Sequence, residues 1–338
     1  MPKAEAIEYE VGNRTVRLTS PGKMVYPERG FTKRDVFEYY LAVSEPMLRA
    51  LSNRPTTLQR FPDGIDGEMF YQKRIPTKGV PPWMNTAEIT FPSGRKADEL
   101  CPIEPAHILW AAQMGAIVFH PWPVRATAPD NPDELRIDLD PQPGTDFADA
   151  ARVATEHARE VLDEAGLVGY PKTSGGRGVH IYVRIRPEWD FIQVRHAVIA
   201  FARALEKRDP ERITTAWWKE ERGERVFIDF NQAARDRTIA SPYSLRANKR
   251  ATASTPVTWD ELSDVEPDDF DLETVPKRLK KVGDPYEPMD SKPYGLETLL
   301  EWWERDAQEM PYPPDYPKMP GEPPRVQPSK KVAANWEE

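Results

Sequence analysis

The sequence predicts an α+β (mixed α/β) domain whose sheets line a central cleft. Its 338 residues are enough to bury one large core, or two lobes that share a cleft. Through the centre of the chain, short apolar strands alternate with amphipathic helices, a pattern typical of sheets covered by helices. Apolar content is 39%, and no apolar run is long enough to cross a bilayer. We therefore expect a folded cytoplasmic domain without membrane contact.

The elements follow from local patterns along the chain. Residues 7–18 alternate apolar and polar side chains around Gly12 and Asn13, which predicts a β-hairpin. Residues 32–48 carry apolar positions at helical spacing, with Thr32 as the N-cap. Residues 61–102 are rich in glycine, proline and aromatic residues and predict short strands and loops. The later strands are expected at 116–119, 135–139, 179–185 and 225–230, and the later helices at 105–114, 146–165 and 191–207.

Charge and composition differ between the two ends of the chain. The formal net charge is −9, but residues 1–250 carry a net charge of +1 and residues 251–338 a net charge of −10. Net charge therefore does not exclude a nucleic-acid partner. The single cysteine, Cys101, excludes an intramolecular disulfide and a cysteine-rich zinc site. We expect a catalytic domain over 1–308 and a proline-rich, extended tail over 309–338.

A pair of acids gives the first chemical signal. Asp138 and Asp140 are two positions apart on a predicted strand, so their side chains share one face at a spacing of roughly 7 Å. Two carboxylates on one face repel each other unless a cation lies between them. Divalent ions about 4 Å apart would suit phosphoryl transfer. A solvated acidic strand end is the alternative interpretation.

A glycine-rich segment over residues 173–180 gives the second signal. Its three glycines allow backbone N–H groups to approach a ligand, and Ser174, Arg177 and His180 supply donors, which suits a phosphate. The P-loop spacing is absent. A tight glycine turn with a hydrogen-bonded histidine is the alternative.

Two further residues are single candidates. Asp229 lies in an apolar strand, where an unpaired carboxylate would need a cation or donors; Arg222 or Arg225 would supply a plain ion pair instead. Arg246 ends a Pro-Tyr-Ser-Leu-Arg segment and could meet a triphosphate with two parallel hydrogen bonds. A surface arginine is the alternative.

From about residue 9 to residue 306 the sequence resembles the polymerase module of bacterial ligase D and its stand-alone relatives, the primase-polymerases of the archaeo-eukaryotic primase superfamily. The Asp-Leu-Asp strand at 138–140, the Ser-Gly-x-x-Gly-x-His loop at 174–180, Asp229 with Gln232, and the segment ending at Arg246 carry the resemblance. It implies a primase-polymerase-like fold around a central active-site cleft. No Lys-x-Asp-Gly ligase motif occurs, so we expect the stand-alone form.

The resemblance also implies roles for individual residues. Asp138, Asp140 and Asp229 would bind the catalytic metals, preferentially Mn²⁺ and otherwise Mg²⁺. The incoming nucleoside triphosphate, often a ribonucleotide, would be held by His120, Ser174, Arg177, His180, Arg222, Gln232 and Arg246.

The implied DNA contacts lie nearer the N-terminus. Lys23 and Lys33 would bind a 5′-phosphate across a gap, and Phe70 and Tyr71 would stack on template bases. Relatives carry Phe-Phe where this chain has Phe70 and Tyr71. At the predicted start of a helix, Lys33 would add its charge to a helix dipole that favours anions.

The implied activity is a two-metal nucleotidyltransferase, a DNA polymerase and primase that fills short gaps carrying a 5′-phosphate. End joining with a Ku partner and an ATP-dependent DNA ligase is an alternative, and priming is another. From different classes, a catalytically silent DNA-end-binding protein and a metal-dependent phosphodiesterase stay open.

Overall fold

The computed structural model describes residues 6–91, 94–235, 237–306 and 310. The strands in these ranges are β1 (Ala6–Val11), β2 (Arg14–Thr19), β3 (Met24–Tyr26), β4 (Phe31–Thr32), β5 (Thr56–Arg60), β6 (Phe70–Gln72), β7 (Thr86–Thr90), β8 (Lys96–Leu100), β9 (Ala116–Pro121), β10 (Glu134–Pro141), β11 (Tyr170–Thr173), β12 (Val179–Arg184), β13 (Ile213–Thr214) and β14 (Val226–Ile228). The α-helices are α1 (Lys33–Leu51), α2 (Pro105–Gln113), α3 (Phe147–Val153), α4 (Arg159–Glu164), α5 (Phe191–Arg208), α6 (Thr274–Val282) and α7 (Glu297–Asp306). None of the helices in the described ranges has the length and apolar character needed to cross a bilayer.

The N-terminal elements form where the sequence predicts them. β1 and β2 pair antiparallel, and Gly12 in their turn has a φ of +60°, a conformation that glycine adopts without strain. Helix α1 starts directly after Thr32, whose hydroxyl accepts the N–H of Asp35 while the Asp35 carboxylate accepts the N–H of Thr32. This capping box fixes the start of α1.

Two sheets carry the fold. The central sheet has the strand order β11-β12-β10-β14-β13, antiparallel except for the parallel pair β13 and β14. In the flanking sheet, β5 pairs with β9, β6 and β8, and β7 pairs with β8. The segment after β14 links the sheets, since Ser241 donates its N–H to the carbonyl of Phe119 on β9. This mixture of helices and sheets is the predicted fold class.

Strand β10 has two chemically different faces. Leu135, Ile137 and Leu139 point into the main apolar core and are fully buried. The alternate positions, which share the opposite face, are Glu134, Arg136, Asp138 and Asp140. Because apolar residues occupy every second position of β10 and face the core, the acids of this strand face the opposite side.

A buried ion network holds the first half of β10. Arg54 contacts Asp133 and Glu134, Glu134 also pairs with Arg136 at 2.6 Å, and Arg184 contacts Asp133 at 3.0 Å. These charges are nearly inaccessible to solvent, so each depends on its partners to offset desolvation. The network fixes the strand from which the two acids project.

Several expectations are refined by the structure. The helix predicted over 146–165 is continuous from α3 to α4, with a π-helical segment, Ala154–Ala158, between them. β11 was not predicted, because Pro171 and the charge of Lys172 hide its strand pattern. β14 ends at Ile228, one residue before Asp229, because the Asp229 carboxylate accepts the N–H of Asn231 and starts a 3-10 turn.

The predicted domain boundary falls at the limit of the described chain. Met310 packs against the core, and its carbonyl accepts a hydrogen bond from Arg195 at 3.2 Å. Core contacts therefore reach beyond residue 308. The rest of the predicted tail lies outside the described residues.

Candidate active site

A cavity of about 290 Å³ lies where the two sheets meet. The flanking sheet contributes one strand residue to its lining, the central sheet contributes both acids of β10 and His180 of β12, and the remainder comes from the glycine-rich loop and the segment after β14. The lining residues that the sequence singled out are His120, Asp138, Asp140, Ser174, Arg177, His180, Gln232 and Arg246. Eight of the predicted site residues thus share one cavity, although they come from segments far apart in sequence.

Three carboxylates lie together at this cavity. Burial raises the pKa of Asp138 to about 6, and burial followed by the charge of Asp138 raises the pKa of both Asp140 and Asp229. Asp229 lies beside the cavity, with its N–H donating to the carbonyl of Asp138 at 2.9 Å. The three acids are close enough to repel one another.

Hydrogen bonds orient two of these acids. Gln142 Nε2 donates to Asp140 Oδ2 at 3.0 Å, and Gln232 Nε2 donates to Asp229 Oδ2 at 3.0 Å. In the described ranges, no group of three His, Cys, Asp or Glu side chains is already arranged to hold a metal ion. The donor set is nevertheless all oxygen and mutually repulsive, which is the chemistry that suits Mg²⁺ or Mn²⁺. The residues therefore fit such ions by chemistry, and binding would require their side chains to turn toward the metal.

The glycine loop between β11 and β12 is built around Ser174. Its Oγ accepts the N–H groups of Gly176 at 3.1 Å and Gly178 at 3.0 Å, which leaves the hydroxyl hydrogen able to donate to a ligand. A Cβ at Gly178 would lie 2.8 Å from the carbonyl oxygen of Leu139. Glycine there lets the loop lie directly against β10 beside its acids.

Arg246 presents a guanidinium to the cavity. Within the described residues, the structure gives that guanidinium neither a hydrogen bond nor an ion pair, while burial lowers its pKa. The backbone of Arg246 is fixed, because its N–H donates to the carbonyl of Thr252 and its carbonyl accepts the hydroxyl of Tyr26. A partly buried arginine without an anion is prepared to bind one. Arg177 is exposed and donates to the carbonyl of Pro141 at 3.3 Å.

His120 faces the cavity from β9. Among the described residues its Nε2 has no hydrogen-bond partner, although it is buried, and burial, with Arg246 next, lowers its pKa to about 3. The ring is therefore neutral at physiological pH. Tyr71 approaches it edge-on, with ring centroids 6.1 Å apart, and Phe70 and Tyr71 are 41% and 56% exposed. Large aromatic side chains this exposed next to a polar cavity are available to stack on a base.

A family model described as the LigD primase-polymerase domain matches residues 32–286. The chain belongs to the LigD primase-polymerase family. It is 33% identical over 304 residues to the multifunctional non-homologous end joining protein LigD of Mycolicibacterium smegmatis, an alignment that covers 88% of this chain and 39% of that protein. The bifunctional LigD of Bacillus subtilis is 32% identical over 273 residues, 80% of this chain and 43% of the relative.

A solved structure extends the family assignment to three dimensions. The polymerase domain of Mycobacterium tuberculosis ligase D in complex with DNA matches with a TM-score of 0.75 and 32% sequence identity, over 82% of this chain and 99% of that one. The chain thus spans about two fifths of the length of the mycobacterial LigD protein and nearly all of a LigD polymerase domain. The resemblance and the fold class read from the sequence are confirmed.

A second recess, of about 260 Å³, contains the two lysines that the family resemblance assigns to a 5′-phosphate. Lys33 donates its N–H to the carbonyl of Lys23 at 2.7 Å, so the loop folds back and brings the two residues together. Burial, followed by the charges of Lys23 and Arg60, lowers the pKa of Lys33 to about 8. Lys23 Nζ pairs with Asp63 at 2.6 Å. The recess is therefore basic and partly neutralised.

One part of the lysine argument needs correction. The sequence suggested that free N–H groups at the start of α1 would help to hold the anion. In the structure those of Lys33, Arg34 and Asp35 are already bonded, to the carbonyls of Lys23 and Pro21 and to the Thr32 hydroxyl. A phosphate in this recess would have to be held by the side chains of Lys23, Lys33 and Arg60, which all line it.

Arg222 has a different setting from the other candidates. It is buried, with its donors directed to the carbonyls of Ala216 and Trp217 and to Gln142, and its guanidinium lies 3.5 Å from the centroid of the Phe227 ring. It does not line the cavity. Contact with a triphosphate stays a prediction and would require these bonds to change.

Lys172 is the residue at this site that the sequence reasoning missed. It is fully buried, and its Nζ lies 2.7 Å from His180 Nδ1. The other ring nitrogen of His180, Nε2, lies 3.4 Å from Asp138 Oδ1. A lysine directly before the glycine loop was the available signal.

We expect Asp138→Asn to raise the melting temperature at pH 7 to 8 in metal-free buffer. Burial raises the pKa of Asp138 from 3.8 to about 6, so its ionisation at neutral pH costs the folded state about 1–3 kcal/mol. The stability gained by the variant should be complete above about pH 6 and absent below about pH 4, where both states bind the proton. Melting curves across this range test it, and an unchanged melting temperature at pH 7.5 would contradict it.

Proposed function

We propose that this chain is a template-dependent nucleotidyltransferase that adds ribo- or deoxyribonucleotides to a 3′-hydroxyl at short gaps carrying a 5′-phosphate. The observation that carries the proposal is the cavity in which the two acids of β10 face a glycine loop and an arginine without an anion. The DNA-bound polymerase domain to which the chain is similar supports the same assignment.

The residues divide the reaction between them. Arg246 and the Ser174 hydroxyl would hold the triphosphate, Arg246 with two parallel hydrogen bonds. Asp138, Asp140 and Asp229 would hold Mn²⁺ or Mg²⁺. When bound, these ions supply a 3′-hydroxyl of lower pKa and a clamp on the leaving pyrophosphate. The amides of Gln142 and Gln232 donate to Asp140 and Asp229 and so restrict how these two carboxylates are oriented.

The environment of His120 supports our proposal that this residue contacts the sugar of the nucleotide. Its ring is neutral, and its buried Nε2 has no partner in the part of the chain that the structure describes. Leaving such an atom unpaired costs about 1–3 kcal/mol. A ribose hydroxyl would satisfy it, whereas a deoxyribose offers one hydroxyl fewer. We therefore propose that the enzyme accepts ribonucleotides readily.

The recess that contains Lys23 and Lys33 predicts which gapped DNA the protein prefers to bind. Wild-type protein should bind a gapped duplex with a 5′-phosphate about tenfold or more tightly than the same gap with a 5′-hydroxyl, because charge-assisted contacts contribute about 1.5–3 kcal/mol. Lys23→Ala with Lys33→Ala should remove this preference and leave extension of a simple primer-template intact. Binding curves for the two gaps at one fixed salt concentration measure it.

The matched control for this variant is Lys277→Ala with Lys280→Ala, which removes two exposed lysines from α6. Both double variants lose the same charge, so a general electrostatic effect would weaken DNA binding equally in the two. Equal affinity of the wild type for both gaps would show that the recess does not bind the phosphate.

End joining is the second candidate function. The relatives are named as non-homologous end joining proteins, and this chain covers only part of them. We propose that an ATP-dependent DNA ligase and a Ku-type protein would be its partners in that role. Stimulation of synthesis across two broken ends by Ku, with no effect of Ku on a continuous gapped template, would favour it.

A single incubation separates the classes of function. The protein is mixed with Mn²⁺, labelled nucleotide and a gapped duplex, and the DNA is resolved by length. Extension supports the polymerase, shortening of the strand supports a phosphodiesterase, and a mobility shift without a change in length supports a silent end-binding protein. Products made on a bare single strand without a primer would reveal priming.

A further inference from the structure

Lys172 is buried in the central sheet, away from the lysines considered for DNA. Its Nζ contacts His180 Nδ1 at 2.7 Å and Ser254 Oγ at 2.5 Å, and it lies 5.4 Å from the centroid of the Tyr182 ring. Burial of an ammonium group is costly unless its hydrogens are used. An apolar side chain would fill this space without the desolvation cost of an ammonium group. A lysine here therefore indicates a role for its hydrogen bonds.

The hydrogen-bond directions around Lys172 are fixed by a neighbour. Ser254 donates its hydroxyl hydrogen to the carbonyl of Thr173 at 3.0 Å, so its oxygen can only accept from Lys172. A lysine has no acceptor when charged, and its next hydrogen is directed at His180 Nδ1. That nitrogen must then be unprotonated.

The tautomer of His180 follows from this chain of bonds. With Nδ1 as an acceptor, the neutral ring carries its hydrogen on Nε2. Nε2 is the atom that lies 3.4 Å from Asp138 Oδ1, and His180 lines the cavity. The opposite tautomer would place a lone pair against the carboxylate, which is repulsive.

The sheet register builds this arrangement. Lys172 on β11 is opposite His180 on β12, and His180 is opposite Asp138 on β10. Residues in direct register lie on the same face of a sheet at about 4.5–5.5 Å. The three side chains therefore form a row that runs from the buried amine of Lys172 to the acid at the cavity.

We propose that Lys172 is a positioning residue for nucleotide addition, which fixes His180 in the Nε2–H tautomer so that this hydrogen faces Asp138 and the cavity. The inference rests on the proposed function for its kinetic consequences, whereas the tautomer itself does not. Groups that orient metal ligands typically contribute about 10- to 100-fold to activity, and we expect an effect of similar size for a group that orients His180 against Asp138.

The first measurement uses the wild-type protein. With five histidines in the chain, the side-chain ¹⁵N resonances of His180 can be assigned by comparison with a His180→Gln sample. We expect the protonated nitrogen to be Nε2 at neutral pH. A protonated Nδ1 would overturn the proposal, and this result does not depend on whether the protein extends DNA.

The second measurement is a kinetic cycle with Lys172→Met, which keeps the side-chain length and removes the donors. We expect kcat/KM for the nucleotide to fall about 10- to 100-fold with unchanged affinity for gapped DNA. His180→Gln carries a donor amide that needs no tautomer, so Lys172→Met should cause no further loss in that background. Equal, additive losses in both backgrounds would overturn the proposal.

Two comparisons keep the outcome clear. Lys280→Met removes a lysine from an exposed position of α6 and serves as the control. Its kcat/KM for the nucleotide should equal that of the wild type. If Lys172→Met does not fold, the wild-type tautomer decides the question alone. If the wild type extends no primer, the proposed function fails while the tautomer is still measured.

Discussion

Asp138→Asn is expected to lower the rate of nucleotide addition by about 10³-fold or more. The change keeps the side-chain shape but removes a charge at the centre of the three acids, and metal stabilisation of the transition state is worth several kcal/mol, with each 1.36 kcal/mol equal to about tenfold in rate. Asp140→Asn should behave alike. Single-turnover extension of a gapped duplex in Mn²⁺ measures the effect.

The loss should be confined to chemistry. Gapped-DNA affinity should stay near that of the wild type, since the lysine recess and the exposed Phe70 and Tyr71 are separate from the acids. Asp163→Asn, which removes an exposed carboxylate from α4, is the matched control and should extend normally. If Asp138→Asn retains a tenth of wild-type extension, the carboxylates are not the catalytic centre.

Arg246→Ala should reduce kcat/KM for the nucleotide by about tenfold to a hundredfold, the second largest effect. The guanidinium faces the cavity without an anion, and a hydrogen bond to a charged group is worth about 1.5–3 kcal/mol. Arg246→Lys should recover only part of this, because an ammonium group cannot form two parallel bonds to a phosphate. Initial rates at subsaturating nucleotide test both variants.

A surface arginine provides the comparison. Arg152→Ala removes an exposed guanidinium that pairs with Asp149 within α3, and it should leave kcat/KM unchanged. Normal kinetics for Arg246→Ala would reduce Arg246 to a structural role at the loop, where its Cγ lies 2.6 Å from the position that a Cβ on Gly175 would take.

Local patterns predicted much of the fold because the physics that decides them is local. The hairpin at Gly12 and the cap at Thr32 depend on residues within a few positions. The shared face of Asp138 and Asp140 depends only on the period of a strand. The predicted end of β14, residue 230, lies two residues beyond the observed end at Ile228. The Asp229 side chain accepts a backbone N–H and starts a 3-10 turn, which the apolar pattern does not reveal.

Tertiary partners decided what the sequence left open. Whether Arg222 was free could not be known before its loop carbonyls were placed around it. The role of Lys172 could not be inferred from its neighbours in sequence, because its acceptor, Ser254, lies 82 positions later. His120 was expected at the nucleotide on family grounds, and its buried, unpartnered Nε2 is visible only in three dimensions.

The two faces of β10 restrict how its coding sequence can change in length. Inserting or deleting one residue inside the strand would exchange the faces, turning Asp138 into the core and an apolar neighbour such as Ile137 or Leu139 toward the cavity. Such a change would remove stability and activity together. Natural variation in length should therefore be excluded from β10 and accumulate in the surface turns that join its neighbours.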